Sequence, residues 1–207
     1  LLATDVVLRT VSEALTKAAC DLLELEAREL QAEYRPALTA AGRDGLEAEI
    51  YLYDTLPGGA GFAQRVGQMG LRVFEEALRL LENCPDHCDR SCYRCLRSYK
   101  NKFEHELLDR HLGASLLRFV LTGSPPRLEV DRIEHSTDVL FNDLQRHNVA
   151  GLELHRQTEV AVPSLGAAVA PILARSPSGR EYVVGLHHPL TPDEPLDEAL
   201  CDLKEYA

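Results

Sequence analysis

Apolar positions recur with a helical period in three stretches of the first half of the chain. Over residues 5–34 they alternate at steps of three and four, which predicts one long amphipathic helix. A second helix is predicted over residues 62–82, with apolar side chains on two sides. Asn101 followed three residues later by Glu104 is a cap signature, and it predicts a third helix over residues 102–121.

Strand patterns are shorter and fewer. Residues 47–54 alternate between apolar and polar side chains, which predicts a strand ahead of the second helix. The pair Pro125-Pro126 is the best boundary signal in the chain. Beyond it, the pattern predicts one helix and three strands, at residues 136–147, 158–162, 168–174 and 181–186. Thr191-Pro192-Asp193-Glu194 predicts the start of a last helix.

Together these elements predict an α+β fold in two parts. Residues 1–123 form a mainly helical module with a short strand, and residues 127–207 form a small α/β appendage. The apolar fraction of 45% is enough to bury a core in a chain of 207 residues. Because no apolar run approaches the ~18 residues of a membrane span, we expect no membrane partner.

The strongest chemical signal is a cluster of cysteines. Four of the six fall within a dozen residues: Cys84, Cys88, Cys92 and Cys95. Four thiolates suit a tetrahedral zinc ion and leave no position open for water, so the pattern predicts one structural Zn²⁺. An iron–sulfur cluster, a three-cysteine site completed by His87 or His105, and unmetallated thiols are the alternatives. Such crowding favours metal binding in a reducing cytosol over disulfides, which predicts a cytoplasmic protein.

The distribution of charge along the chain limits which segments could bind nucleic acid. The net charge of −11 excludes a uniformly basic surface, but residues 51–123 carry ten Lys and Arg against nine Asp and Glu. Five basic residues surround the cysteines: Arg90, Arg94, Arg97, Lys100 and Lys102. Tyr93, Tyr99 and Phe103 lie between them, so the segment predicts contact with phosphates and unpaired bases. The alternative is a solvated charged face whose aromatic side chains pack in the core.

A glycine-rich turn joins the predicted strand to the second helix. It reads Pro57-Gly58-Gly59-Ala60-Gly61, and it lacks the lysine of a nucleotide-binding loop, so ATP is not its ligand. Backbone amides at Gly58 and Gly59 are candidates for contact with a nucleic-acid phosphate. The alternative is a tight turn that lets the helix pack against its strand, with Asp54 as its cap.

Three segments resemble a known family: Leu52-Tyr53-Asp54-Thr55-Leu56-Pro57-Gly58-Gly59-Ala60-Gly61-Phe62, Ser91-Cys92-Tyr93-Arg94-Cys95-Leu96-Arg97-Ser98-Tyr99 and Leu107-Leu108-Asp109-Arg110. Over residues 1–121 the chain resembles the MrfA-type zinc-binding domain near the C-terminus of superfamily 2 DEAD/DEAH-box DNA helicases and of related DISARM-type defence proteins. The resemblance implies zinc on the four cysteines and a position beside a 3′-to-5′ ATP-driven DNA translocase.

The resemblance and the residues together predict a domain that catalyses no reaction itself. We expect a non-catalytic accessory domain of an ATP-dependent DNA helicase, which supports DNA binding and translocation in DNA repair or antiviral defence. No catalytic residue and no motor motif is present, so the motor domains would lie in the same or a partner chain. The alternative is a zinc-stabilised interaction module that docks a helicase or defence subunit without touching nucleic acid. In residues 127–207 the predicted helix and strands follow the order of a restriction-endonuclease-like core, but the acidic residues that bind metal in such a core are missing. This combination suggests a degenerate nuclease scaffold.

Overall fold

The computed structural model describes residues 3–36, 48–147, 151–162, 166–191 and 203. The chain divides into two compact units, residues 1–126 and residues 127–207. Within the described residues, five helices and two small antiparallel sheets confirm the prediction of an α+β fold. None of the helices in the described ranges is long and apolar enough to cross a membrane.

The first unit is built on one long helix. In chain order its elements are α1 (Ala3–Leu23), β1 (Leu30–Pro36), β2 (Ala48–Asp54), α2 (Phe62–Met69), α3 (Leu71–Glu82), a 3₁₀ turn (His105–Leu107) and α4 (Arg110–Thr122). Helix α1 packs against α3, α4 and β1. Its buried stripe includes Ala14 and Ala18, whose small side chains are fully covered and let the neighbouring elements approach closely. The core therefore lies around α1, and the cysteine segment connects α3 to α4.

The first predicted helix is too long, and a second strand was missed. Helix α1 ends at Leu23, because Glu24 adopts a left-handed conformation with φ of 56°. The chain then enters β1, which pairs antiparallel with β2 so that Leu30 lies opposite Asp54. In β1, Leu30 and Ala32 are buried at every second position, which is the period of a strand. The module therefore contains a two-stranded sheet where one strand was expected.

The other two predicted helices also differ from the structure. Gly70, with φ of 56°, divides the second into α2 and α3. The third begins at Arg110 and not at residue 102, because the carboxylate of Asp109 accepts hydrogen bonds from the amides of His111 and Leu112 at 3.0 and 3.2 Å. The predicted cap, Asn101, is buried in the preceding loop.

The second unit is a helix followed by an antiparallel meander. Its elements are α5 (Val130–Arg146), β3 (Glu153–Val160), β4 (Ala168–Arg175) and β5 (Glu181–Val184), with the strands in the order β3-β4-β5. Ala170 and Leu173 of β4 pack with Val160, Val162 and Leu203. The helix begins six residues before the predicted start, and the predicted helix after Thr191 lies outside the described residues.

Candidate metal centre

The four cysteine thiols of the first unit converge on one point. Their Sγ atoms all lie within 4.8 Å of one another, which positions them to hold one metal ion. Cys84 Sγ lies 3.5 Å from Cys92 and 3.6 Å from Cys88, and Cys95 Sγ lies 3.6 Å from Cys88 and 3.7 Å from Cys92. A tetrahedron with Zn–S bonds of ~2.3 Å has sulfur–sulfur edges of ~3.8 Å. The spacing of the thiols therefore fits a zinc ion.

The backbone between the cysteines is folded to aim the sulfurs inward. The amides of Cys95, Leu96 and Arg97 all donate to the carbonyl of Cys92, at 3.2, 3.1 and 2.9 Å. These bonds close the tight turn that brings the last two cysteines together. At the other end the amide of His87, in a left-handed conformation, donates to Cys84 O at 3.0 Å.

The electrostatics of the cluster also favour a cation at its centre. Burial opposes ionisation of Cys84, but hydrogen bonds from the amides of Cys88 and Asp86 and from neighbouring thiols lower its pKa to about 6. Burial, together with hydrogen bonds to Cys84 and Cys95, raises the pKa of Cys88, and burial also raises that of Cys95. One thiol therefore ionises readily while its neighbours resist, because thiolates this close repel one another. A divalent ion at their centre removes that repulsion.

Two side chains from distant helices hold the cysteine segment in place. Lys17 of α1 donates to the carbonyls of Arg94 and Cys95, at 3.1 and 2.5 Å. Arg110 of α4 donates through Nε to Cys88 O at 2.7 Å and through Nη1 to Leu81 O at 3.0 Å. Sequence reasoning gave Lys17 no role, since no motif marks it. Arg110 belongs to the third segment of the family resemblance, which was the available signal.

Asn101 fixes the loop that follows the cysteines. Its Nδ2 donates to Leu96 O and to Glu13 Oε2, both at 3.0 Å, and its Oδ1 accepts from the amide of Ser98 at 2.8 Å. His105 Nε2 lies 3.0 Å from Asn101 Oδ1. His105 therefore serves this loop, and the cluster of four ligand atoms found among the described residues contains cysteines alone.

The five basic residues differ in how their charges are used. Arg90 lies 3.3 Å from Asp109 and donates to Glu106 O, while Arg97 donates to Ser91 Oγ at 2.9 Å. Arg94, Lys100 and Lys102 are exposed. Lys102 Nζ lies 4.3 Å from the ring centroid of Tyr99 and 4.8 Å from that of Phe103. Arg90 is also exposed but is paired with Asp109, so three of the five charges are presented to solvent without a carboxylate partner among the described residues.

The aromatic residues of this segment lie on the surface. The exposed fractions of Tyr93, Tyr99 and Phe103 are 67%, 81% and 90%. The alternative in which these rings pack in the core is therefore excluded. We refer to Tyr93, Arg94, Tyr99, Lys100, Lys102 and Phe103 as the basic–aromatic surface.

The glycine-rich turn is organised by the carboxylate of Asp54. It accepts hydrogen bonds from the amides of Ala60, Gly61 and Ala63, at 2.8, 2.7 and 2.8 Å. The bond from Ala63 is the largest of the causes that lower the Asp54 pKa. The amide of Gly59 donates to Leu56 O at 2.9 Å. Asp54 thus caps the turn, and a phosphate contact at Gly58 and Gly59 stays a prediction.

Replacing Asp54 by alanine is expected to loosen this turn. Because its carboxylate satisfies three backbone amides, hydrogen exchange at Ala60, Gly61 and Ala63 should accelerate about tenfold at neutral pH. In the native protein the protection of these amides, relative to the intrinsic exchange rate at each pH, should fall on acidification through the lowered pKa of Asp54, where the carboxylate gains a proton. Amides of α3 serve as the internal control. Unchanged exchange at the three amides of the variant would contradict the cap.

Four thiols that fill all coordination positions of one ion define a structural zinc-binding domain. Comparison with known proteins identifies the family of this domain. Residues 11–96, which include all four cysteines, match the model of the family described as MrfA Zn-binding domain. The chain therefore contains an MrfA-type zinc-binding domain, and the predictions of that domain and of one zinc ion are confirmed.

One curated protein is also similar to part of this chain. A Druantia protein DruE from Escherichia coli is 40% identical over 122 residues, which is 58% of this chain and 6% of that protein. The chain thus spans a small fraction of the length of this relative. No solved structure matches the chain significantly.

Proposed function

We propose that this chain is a non-catalytic accessory part of an ATP-dependent superfamily 2 DNA helicase, in which the zinc domain helps the motor to engage DNA. In this proposal Cys84, Cys88, Cys92 and Cys95 bind the zinc ion, and the basic–aromatic surface contacts the strand. The motor domains belong to the same or a partner chain. The helicase assignment rests on the family resemblance, and the DNA assignment rests on the described surface.

The observation that carries the proposal is the exposure of three aromatic rings among cations. Phe103 is 90% exposed and Tyr99 is 81% exposed, although the loop that bears them is fixed by the buried Asn101. Leaving such large apolar side chains in water gives no folding free energy. Unpaired bases stack on aromatic faces of this kind, and phosphates pair with neighbouring ammonium and guanidinium groups.

The local charge supports the same partner. Residues 90–103 contain five Lys and Arg and no Asp or Glu. Zinc with four thiolates carries two negative charges, which offset only part of this excess. A net positive surface of a few charges therefore lies within a chain whose total charge is −11. Binding to a polyanion would be confined to this surface and would depend on salt.

The biological setting of the proposal is antiviral defence or DNA repair. Similarity to the Druantia protein DruE supports the defence setting. Because the chain matches a small part of that protein, the domains of such a system that lie outside the match would be its partners, in the same or another chain. Residues 127–207 would serve as an appendage, for which a degenerate nuclease scaffold stays a prediction.

Charge reversal on the basic–aromatic surface tests the DNA contact. The double variant Arg94→Glu/Lys100→Glu should weaken binding of a single-stranded oligonucleotide of roughly 20 nucleotides about tenfold in fluorescence anisotropy. Each lost phosphate contact should lower the slope of log affinity against log salt by ~0.7. Arg97 is left in place because its guanidinium bonds Ser91 and its replacement would disturb the loop.

A matched double variant separates local contact from overall charge. Arg65→Glu/Arg72→Glu changes two exposed arginines of α2 and α3 by the same total charge, away from the cysteine segment. We expect it to change the affinity by less than about twofold. Equal losses in the two double variants, or no loss in either, would contradict the DNA contact. The second result would favour the interaction module that docks a protein partner.

A further inference from the structure

A deep cleft lies beside the basic–aromatic surface within the first unit. Its volume is about 710 Å³, and its walls come from α1, β1 and the loop of residues 95–104. Tyr99 is part of its lining, whereas Tyr93 and Phe103 are not. We refer to this space as the α1 cleft. Neither the zinc ion nor the glycine turn accounts for it.

One end of the α1 cleft is rich in hydrogen-bond acceptors. The buried guanidinium of Arg9 lies 2.6 Å from Glu13 Oε1, 2.7 Å from Glu104 Oε2 and 3.5 Å from Glu33 Oε2. All four residues line the cleft. One positive charge therefore faces three carboxylates, and Glu104 Oε1 has no hydrogen-bond partner in the part of the chain that the structure describes. This end favours a ligand group that donates hydrogen bonds.

The other end of the cleft carries charges of both signs, from Asp21, Arg28 and Lys100, and Tyr99 is part of its lining. Burial and the charge of Asp21 raise the pKa of the Cys20 thiol, and the charge of Lys100 offsets part of that rise, which places Lys100 near Cys20 of α1. Arg9 and Cys20 are eleven residues apart in α1, which corresponds to ~16 Å of helix. Lys100 makes no hydrogen bond or ion pair with the other described residues. The ring of Tyr99 is exposed and has the ammonium group of Lys102 4.3 Å from its centroid, and a cation beside an exposed ring suits a phosphate next to a stacked base.

We propose that the α1 cleft receives one unpaired base of the DNA strand, and that it prefers a base with an exocyclic amino group. This inference rests on the proposed function, since it assumes that the strand reaches the basic–aromatic surface. Tyr99 stacks on the base, Lys100 pairs with its phosphate, and Glu104 accepts a hydrogen bond from the amino group. Cytosine, adenine and guanine carry such a donor, whereas uracil and thymine have no amino group and offer a single ring N–H between two carbonyl oxygens.

Two oligonucleotides that differ mainly at one ring position test the proposal. The full zinc-loaded chain is titrated with oligo-deoxycytidine and with oligo-deoxyuridine of equal length, at neutral pH and fixed salt. These pyrimidines have similar size, and they differ in a 4-amino or 4-oxo group. We expect oligo-deoxycytidine to bind about five- to tenfold more tightly, as one hydrogen bond to a charged acceptor would give.

Variants then assign the preference to the cleft. Glu104→Gln should bring the affinity ratio close to one, because its amide can donate to the 4-oxo group as well as accept. Tyr99→Ala should weaken binding about tenfold and reduce the ratio. Tyr93→Ala is the matched control: it removes an exposed ring outside the cleft and should leave the ratio unchanged. Zinc content and unfolding temperature are measured for each variant.

The outcomes separate this inference from the proposed function. Tight binding of both oligonucleotides with a ratio of one, unchanged by Tyr99→Ala, overturns the base-binding cleft and leaves the DNA contact in place. That result would assign the cleft to a side chain of a protein partner. Absence of binding to either oligonucleotide overturns both proposals. A ratio that falls equally in Tyr93→Ala and Tyr99→Ala also contradicts a role for the cleft.

Discussion

Replacing Cys95 by serine is expected to release the zinc ion and to unfold the segment that connects α3 to α4. Between these helices the described residues bury four apolar side chains, those of Cys84, Cys95, Leu96 and Leu108, and two of the four are cysteines of the cluster. So small a core cannot order the connection by itself. Structural zinc supplies on the order of 10 kcal/mol of folding free energy in small domains. We therefore expect the free energy of unfolding of the first unit to fall by about 5 kcal/mol or more.

Two measurements check this expectation. Metal analysis should find about one zinc per native chain and less than about a tenth of that in the variant. Thermal unfolding followed by circular dichroism should show the loss of stability, and a chelator should reproduce it in the native protein. Cys20→Ser is the matched control, since Cys20 is buried but lies outside the cluster. A Cys95→Ser protein that keeps its zinc and its unfolding temperature would contradict the structural role.

The second large effect is expected at Gly113, where α4 crosses α1 and α3. A Cβ atom at this position would lie 2.6 Å from Thr10 Cγ2 and 3.0 Å from Leu81 Cδ1. Thr10 cannot rotate away freely, because its hydroxyl donates to Leu107 O and accepts from the amide of Asp109. Gly113→Val should therefore lower the free energy of unfolding by about 3 kcal/mol through overpacking.

Gly67→Val provides the matched control for the helix propensity of the new side chain. Gly67 also lies in a helix, and a Cβ atom there would meet nothing within 4 Å. The same substitution should change the stability by less than about 0.5 kcal/mol. Denaturant titration of both variants gives the comparison. Equal effects at the two positions would show that Gly113 is not a packing constraint.

The sequence was sufficient for the metal centre because that site is local. The four cysteines lie within twelve residues, and their spacing alone indicates a tetrahedral thiolate site. The cap at Asp54 was similarly readable, since its amide partners follow within nine residues. The ligands of the metal and the cap of the turn are local in sequence, although Lys17 and Arg110 from other helices also hold the cysteine segment.

The errors in the predicted elements come from interactions that a local pattern does not contain. Residues 30–34 alternate between apolar and polar side chains, and they form a strand in place of the predicted helix because β2 supplies hydrogen-bonding partners. Helix α4 begins late because Asp109 is held by Thr10, 99 residues away in the chain. Local propensity is a weak preference, and tertiary pairing outweighs it in both places.

The sequence by itself determined the ligand chemistry of this protein: four thiols at a spacing that suits one zinc ion, within a basic and aromatic segment. Only the tertiary structure decided which charges and rings are free. It placed Arg90 against Asp109 and left Phe103 in solvent. It also brought Arg9 and Lys17 of α1 to the residues around the cysteines, which creates the α1 cleft. The contacts of Arg9 with Glu104 and of Lys17 with Cys95 join residues more than 75 positions apart, so they depend on how the helices pack and are not encoded in any single stretch of chain.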